Sequence, residues 1–99
     1  MSNGPPGEQA RLHATIEGVV QGVSFRYYTM QKAKILGLTG WVANRWDGKV
    51  ETVAEGPRRD LDEFLAYLHE GPPAASVTRV AAQWEKAGCE FHDFRVTFQ

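Results

Sequence analysis

Residues 18–26, Gly-Val-Val-Gln-Gly-Val-Ser-Phe-Arg, join a strand-like pattern to a helical one and carry two glycines and an arginine. A chain that leaves a strand, turns on Gly18 and Gly22 and enters a helix can aim several backbone N–H groups at one point. The first N–H groups of that helix have no partners inside it. Such a turn is an anion cradle suited to a phosphoryl group. Arg26 falls in the first helical turn, where the helix dipole disfavours a cation. Its rigid donor fork matches two phosphoryl oxygens. It reads as an anion ligand or as a solvated surface arginine. Asn44 lies near the end of a later strand, an element that disfavours asparagine. Its side chain both donates and accepts, so it can orient a water; taken alone, it reads first as structural. The nucleotide-binding pattern GxxxxGK[ST] is absent. No histidine or acid stands beside Ser24 to activate it as a nucleophile.

The elements that must hold these residues follow from periodicity. Leu12, Ala14 and Ile16 alternate with His13, Thr15 and Glu17, which predicts a first strand over 11–17 with one buried face. A helix is predicted over 25–36, with Phe25, Tyr28, Thr29, Lys32, Ala33 and Leu36 on an imperfect stripe and Gly37 as its stop. Residues 41–46 and 49–55 read as a hairpin closed by Asp47-Gly48, both able to take positive φ. A second helix over 58–70 places Leu61, Phe64, Leu65 and Leu68 on one stripe and Asp60, Asp62 and Glu63 near its positive end. Val80, Ala82 and Trp84 share a face of a fourth strand, and Phe94, Val96 and Phe98 a face of a short fifth. The sum is an α+β, ferredoxin-like sandwich: βαββαβ, two helices on one face of a mainly antiparallel sheet, and an extra C-terminal strand. Residues 1–10 are expected to form a flexible Gly/Pro-rich arm, and 11–99 the single domain.

Composition narrows the classes. Eleven basic and twelve acidic residues give a net charge of -1, without the basic excess that nucleic-acid binding exploits. The third strand, KVETVAE, lacks the aromatic motif of ferredoxin-like RNA-binding domains, so Trp41, Trp46 and Trp84 are expected to fill the core or cover the sheet. Positive charge at Arg26 and Arg45 suits one small anion. His13, His69 and His92 show no metal-ligand spacing, and the single cysteine, Cys89, forms no internal disulfide. No apolar run reaches the roughly 20 residues of a membrane span, and the polar start lacks a signal-peptide pattern. A cytoplasmic protein is expected, binding neither membrane nor nucleic acid, with monomer the simplest state.

Two longer patterns sharpen this reading. GVVQGVSFR at 18–26 and GWVANRWDGKV at 40–50 closely resemble the acylphosphatase family, whose patterns are G-x-V-Q-G-V-x-F-R and G-[FYW]-[AV]-x-N-x-x-D-G-x-V. The resemblance spans about 11–98. It implies hydrolysis of acyl phosphates to a carboxylate and inorganic phosphate, with no metal and no cofactor. It implies that Arg26 binds the phosphoryl group, that Asn44 positions the attacking water, and that the amides of Gln21, Gly22, Val23 and Ser24 hold phosphoryl oxygens. The alternative is a non-catalytic phosphate- or small-anion-binding, regulatory module of the same fold, because fold alone does not decide function.

Overall fold

The computed structural model describes residues 8–98. In chain order the elements are β1 (Gln9–Val19), α1 (Phe25–Ile35), β2 (Thr39–Asn44), β3 (Val50–Pro57), α2 (Arg58–Glu70), β4 (Ser76–Glu85) and β5 (Phe94–Phe98). The sheet has five strands in the order β4-β1-β3-β2-β5. Three neighbouring pairs are antiparallel, and β5 runs parallel to β2 at the edge. This is the expected βαββαβ arrangement with a fifth strand. β1 is longer than predicted, since Gln9 and Ala10 pair with Pro57 and Gly56. Of the expected arm, residues 1–7 lie outside the described residues.

Cross-strand register decides which residues share a face. Leu12, Ala14 and Ile16 of β1 stand opposite Ala54, Thr52 and Val50 of β3. Those in turn face Gly40, Val42 and Asn44 of β2. Both helices pack on this face: Phe25 and Ala33 of α1 and Leu61, Phe64 and Leu68 of α2 join Leu12, Ile16, Val42, Val50 and Phe94 in one buried core. The α2 stripe is as predicted. On α1 the buried residues are Phe25, Thr29 and Ala33. Tyr28 is exposed, and Lys32 turns outward to an ion pair with Glu63 at 2.9 Å, because an ammonium finds no compensation in an apolar core.

The hairpin differs from its sequence reading. β2 ends at Asn44, and Trp46, expected to pack or cover the sheet, is 93% exposed in the connection. The turn holds three residues: Arg45 N–H donates to Lys49 O at 2.7 Å and Gly48 N–H to Arg45 O at 3.2 Å. Only Gly48 takes positive φ, at 91°, which is the pattern of a turn followed by a left-handed residue rather than a two-residue primed turn. Asp47 keeps negative φ because its carboxylate accepts Lys49 N–H at 3.2 Å and pairs with Arg45. That pairing also engages Arg45, which approaches Glu51 as well, at 3.8 Å, so it is not the spare cation the sequence offered.

The opposite sheet face is covered by ion-paired side chains. His13 hydrogen-bonds Glu51, Lys49 lies 3.6 Å from Glu17, and Arg11 pairs with both Glu55 and Glu90. Glu55, only 4% exposed, also accepts Gly88 N–H at 2.8 Å and Cys89 N–H at 3.0 Å, pinning the β4–β5 connection to the sheet. Burial pushes its carboxyl up, but the Gly88 N–H, the Arg11 guanidinium and the Cys89 N–H outweigh it and hold the group below the usual carboxylate range. A depressed folded pKa contributes stability that is fully present above the unfolded value, roughly 4.3, and is lost as pH falls through the folded value. Glu55→Gln is therefore expected to cost about 2 kcal/mol at pH 7. Urea midpoints of wild type and variant should differ less at pH 3 than at pH 7. An equal difference at both pH values would show that the carboxylate charge is immaterial.

Candidate active site

The cradle loop begins where β1 loses register with β4, between Glu17 and Gly18. Gly18 lies at φ 131°, and a Cβ there would come within 2.0 Å of Ser76 O, so no other residue fits this exit from the strand. Gly22 and Ser24 follow at φ 76° and 61°, with Val23 between them on the ordinary side. Alternation of this kind turns successive N–H groups toward one side, the geometry of an anion nest. Among the described residues, no hydrogen bond takes up the N–H groups of Gln21, Gly22, Val23 or Ser24.

The start of α1 is left open in the same way. Ser24 is the N-cap but makes no side-chain capping bond, and the first turn holds no acidic residue. The orphan N–H groups and the positive dipole end therefore remain available to an outside anion. α2 offers the contrast, with Asp60 in its first turn.

Loop, helix start and sheet enclose a cleft of about 400 Å³. Val20, Gly22, Ser24 and Phe25 form one wall, Arg26 and Tyr27 another, and Asn44 and Val96 the sheet side. Arg26 and Asn44, eighteen positions apart in sequence, thus face the same space. Arg26 is half-buried, and no carboxylate of the described residues pairs with it. Its guanidinium carbon lies 5.5 Å from the centroid of the Phe98 ring, a cation–π contact that holds the side chain while leaving its in-plane donors free. Asn44 closes β2, and its Oδ1 is buried without a hydrogen-bond partner among the described residues. An unpaired buried acceptor is uncommon, and it points to a group whose hydrogen-bonding capacity is reserved for a ligand or a water.

Four of the six predicted site residues, Gly22, Ser24, Arg26 and Asn44, line this cleft. The other two do not present side chains to it. Val23 packs against the core. Gln21 sends its side chain to the β2–β3 turn, where Nε2 donates to Arg45 O at 2.7 Å and to Lys49 O at 2.9 Å. Sequence reasoning missed Phe98, which the parallel pairing of β5 sets level with Asn44. The alternation of Phe94, Val96 and Phe98 foretold the strand, but no local signal says which edge a fifth strand joins. Ser24 is exposed, and no imidazole or carboxylate side chain is among the described residues that line the cleft.

The family model for acylphosphatase matches residues 12–96. The chain is 53% identical over 87 residues to the acylphosphatase of Marinobacter nauticus, covering 88% of this chain and 95% of that one. It is 43% identical over 90 residues to that of Pelotomaculum thermopropionicum, covering 91% and 98%. Among solved structures, the acylphosphatase from Bacillus subtilis superposes with a TM-score of 0.86 at 35% identity, covering 89% of this chain and 98% of that one. The cleft therefore occurs on a chain that matches its relatives along almost their whole length, and on that ground the chain belongs to the acylphosphatase family.

Proposed function

We propose that the chain hydrolyses acyl phosphates, the mixed anhydrides of carboxylic and phosphoric acids, to a carboxylate and inorganic phosphate. The observation that carries the roles is the convergence on one cleft of a guanidinium, an amide loop and an Asn44 Oδ1 that have no ion-pair or hydrogen-bond partner among the described residues. The amides of Gln21, Gly22, Val23 and Ser24 and the fork of Arg26 hold the phosphoryl oxygens and gather the charge that grows on them. Asn44 Oδ1 accepts a hydrogen bond from the attacking water and fixes its lone pair in line with phosphorus. The new O–P bond forms as the P–O bond to the acyl group breaks.

The leaving group is a carboxylate whose conjugate acid has a pKa of roughly 4, so it departs without protonation. Consistent with this, no carboxyl or imidazole side chain is among the described residues that line the cleft. The proton released by water passes to a phosphoryl oxygen of the substrate or to solvent. Neither the binding nor the alignment step calls on a metal or cofactor. No described helix is long and apolar enough to cross a membrane. A cytoplasmic monomer acting on a small-molecule substrate, without nucleic acid, completes the reading, with the working domain extended from the expected residue 11 back to Gln9, where β1 starts.

Leaving-group dependence tests the chemistry. Benzoyl phosphate should be cleaved rapidly and at an unchanged rate in EDTA. Phenyl phosphate, whose phenol-type leaving group has a pKa of roughly 10, should react at least about a thousandfold more slowly, because no group in the cleft protonates it. Comparable rates on the two substrates would reveal an acid catalyst and overturn the mechanism. Loss of activity in EDTA would overturn the metal-free reading.

A further inference from the structure

We infer that Gln21 is a positioning residue that sets the distance between the phosphoryl cradle and Asn44. The inference rests on the reading of Asn44 as the residue that orients water. Gln21 belongs to the cradle loop, yet its carboxamide nitrogen donates hydrogen bonds to two carbonyls of the β2–β3 turn, Arg45 O at 2.7 Å and Lys49 O at 2.9 Å. Those two carbonyls are the ones that close the turn: Lys49 O also accepts Arg45 N–H, and Arg45 O also accepts Gly48 N–H. Each carbonyl has two lone pairs, one spent within the turn and one on Gln21. The orientation of the amide is chemically fixed, because only its nitrogen can face two carbonyl oxygens.

Asn44 immediately precedes Arg45 and is the last residue of β2. A clamp on Arg45 O therefore acts one residue from the side chain that faces the cleft. The sheet ladder holds Asn44 against Val50 from one side, and among the described residues the hydrogen bonds between this end of the hairpin and the cradle loop itself are those of Gln21. In-line attack requires water and phosphorus to be placed relative to each other, and a displacement of about 1 Å can cost about a hundredfold in rate. The loop amides themselves are oriented by the backbone at Gly22 and Ser24. Loss of the clamp should thus disturb alignment more than phosphate affinity.

The test compares wild type, Gln21→Met, Asn44→Ala and the double variant, with benzoyl phosphate as substrate and inorganic phosphate as competitive inhibitor. Methionine keeps the length and burial of the side chain and removes both donors. Gln21→Met is expected to lower kcat about tenfold while the phosphate inhibition constant stays within about twofold. In the Asn44→Ala background the same change should lower kcat by less than twofold. In ¹⁵N-labelled protein, the Asn44 side-chain amide signal should shift or broaden in Gln21→Met, while α2 signals stay in place. Gln21→Asn, one methylene too short to span both carbonyls, should repeat the pattern if Gln21→Met folds poorly. An equal fall in kcat with and without Asn44, or a fall matched by weaker phosphate inhibition, would overturn the inference alone. If Asn44→Ala leaves too little activity to measure, an undisturbed Asn44 amide signal in Gln21→Met overturns it equally. Full activity in Asn44→Ala would overturn the role given to Asn44 and the inference with it. Absence of hydrolysis by wild type would instead sink the proposed reaction, leaving the amide signal to judge the clamp.

Discussion

Arg26→Ala is expected to lower kcat/KM for benzoyl phosphate by about a thousandfold, equivalent to about 4 kcal/mol of transition-state stabilisation. The size follows from what the residue faces. Its guanidinium has no carboxylate partner among the described residues and lies in a cleft whose other described lining residues carry no full charge. On the proposed roles, a phosphoryl group that loses it keeps the loop but not the full positive charge that Arg26 alone supplies among the described lining residues. Inhibition by inorganic phosphate should weaken at least about tenfold, because the same contact operates in the ground state. Folding should be almost untouched. The visible loss is the contact with the Phe98 ring, which is 84% exposed, and an exposed cation–π pair contributes roughly 0.5–1 kcal/mol. Arg26→Lys should recover only part of the activity, since a point charge replaces a fork that meets two oxygens. Phosphate inhibition unchanged in a folded Arg26→Ala variant would remove this residue from the anion site.

Asn44→Ala should lower kcat by at least about a hundredfold and leave the phosphate inhibition constant within about twofold. The two variants thus separate binding from alignment. On the proposed roles Asn44 orients water and does not hold phosphate; its Oδ1 is an acceptor with no partner among the described residues, at the end of β2. The isosteric Asn44→Asp retains an acceptor but brings a carboxylate toward the phosphoryl group, so KM should rise as kcat falls. A parallel loss of turnover and phosphate binding in Asn44→Ala would mean that the residue shapes the cradle and does not orient water.

Much of this site could be read before any coordinates. The alternation of Leu12, Ala14 and Ile16, the α2 stripe and the glycines at 18 and 22 place a strand, a helix and the turn between them. Those signals are local, because burial repeats with the period of the element that carries it. Arg26 and Asn44 each sit against local preference, a cation at a positive helix end and an asparagine in a strand, but that signal left Arg26 undecided and Asn44 structural; the roles expected of them came from the resemblance of residues 18–26 and 40–50 to the acylphosphatase patterns. What escaped was set by distant partners. The turn after Asn44 takes three residues because Asp47 bonds Lys49 N–H and Gln21 caps the flanking carbonyls. Tyr28 looks like core by spacing, but α1 buries only Phe25, Thr29 and Ala33 as it crosses β2 and β5. Arg45 resembles a free cation in sequence and becomes engaged only when the hairpin brings Asp47 and Glu51 to it. Phe98 reaches the site through a parallel edge pairing that its alternation alone does not specify.

Release of phosphate from benzoyl phosphate in the presence of EDTA, compared between wild type and Asn44→Ala at equal concentrations of folded protein, tests the assignment most directly. The expected result is fast, chelator-resistant hydrolysis by wild type that collapses in the variant. Hydrolysis no faster than the spontaneous background by well-folded wild type would contradict it, and would leave the cleft as an anion-binding site without catalysis.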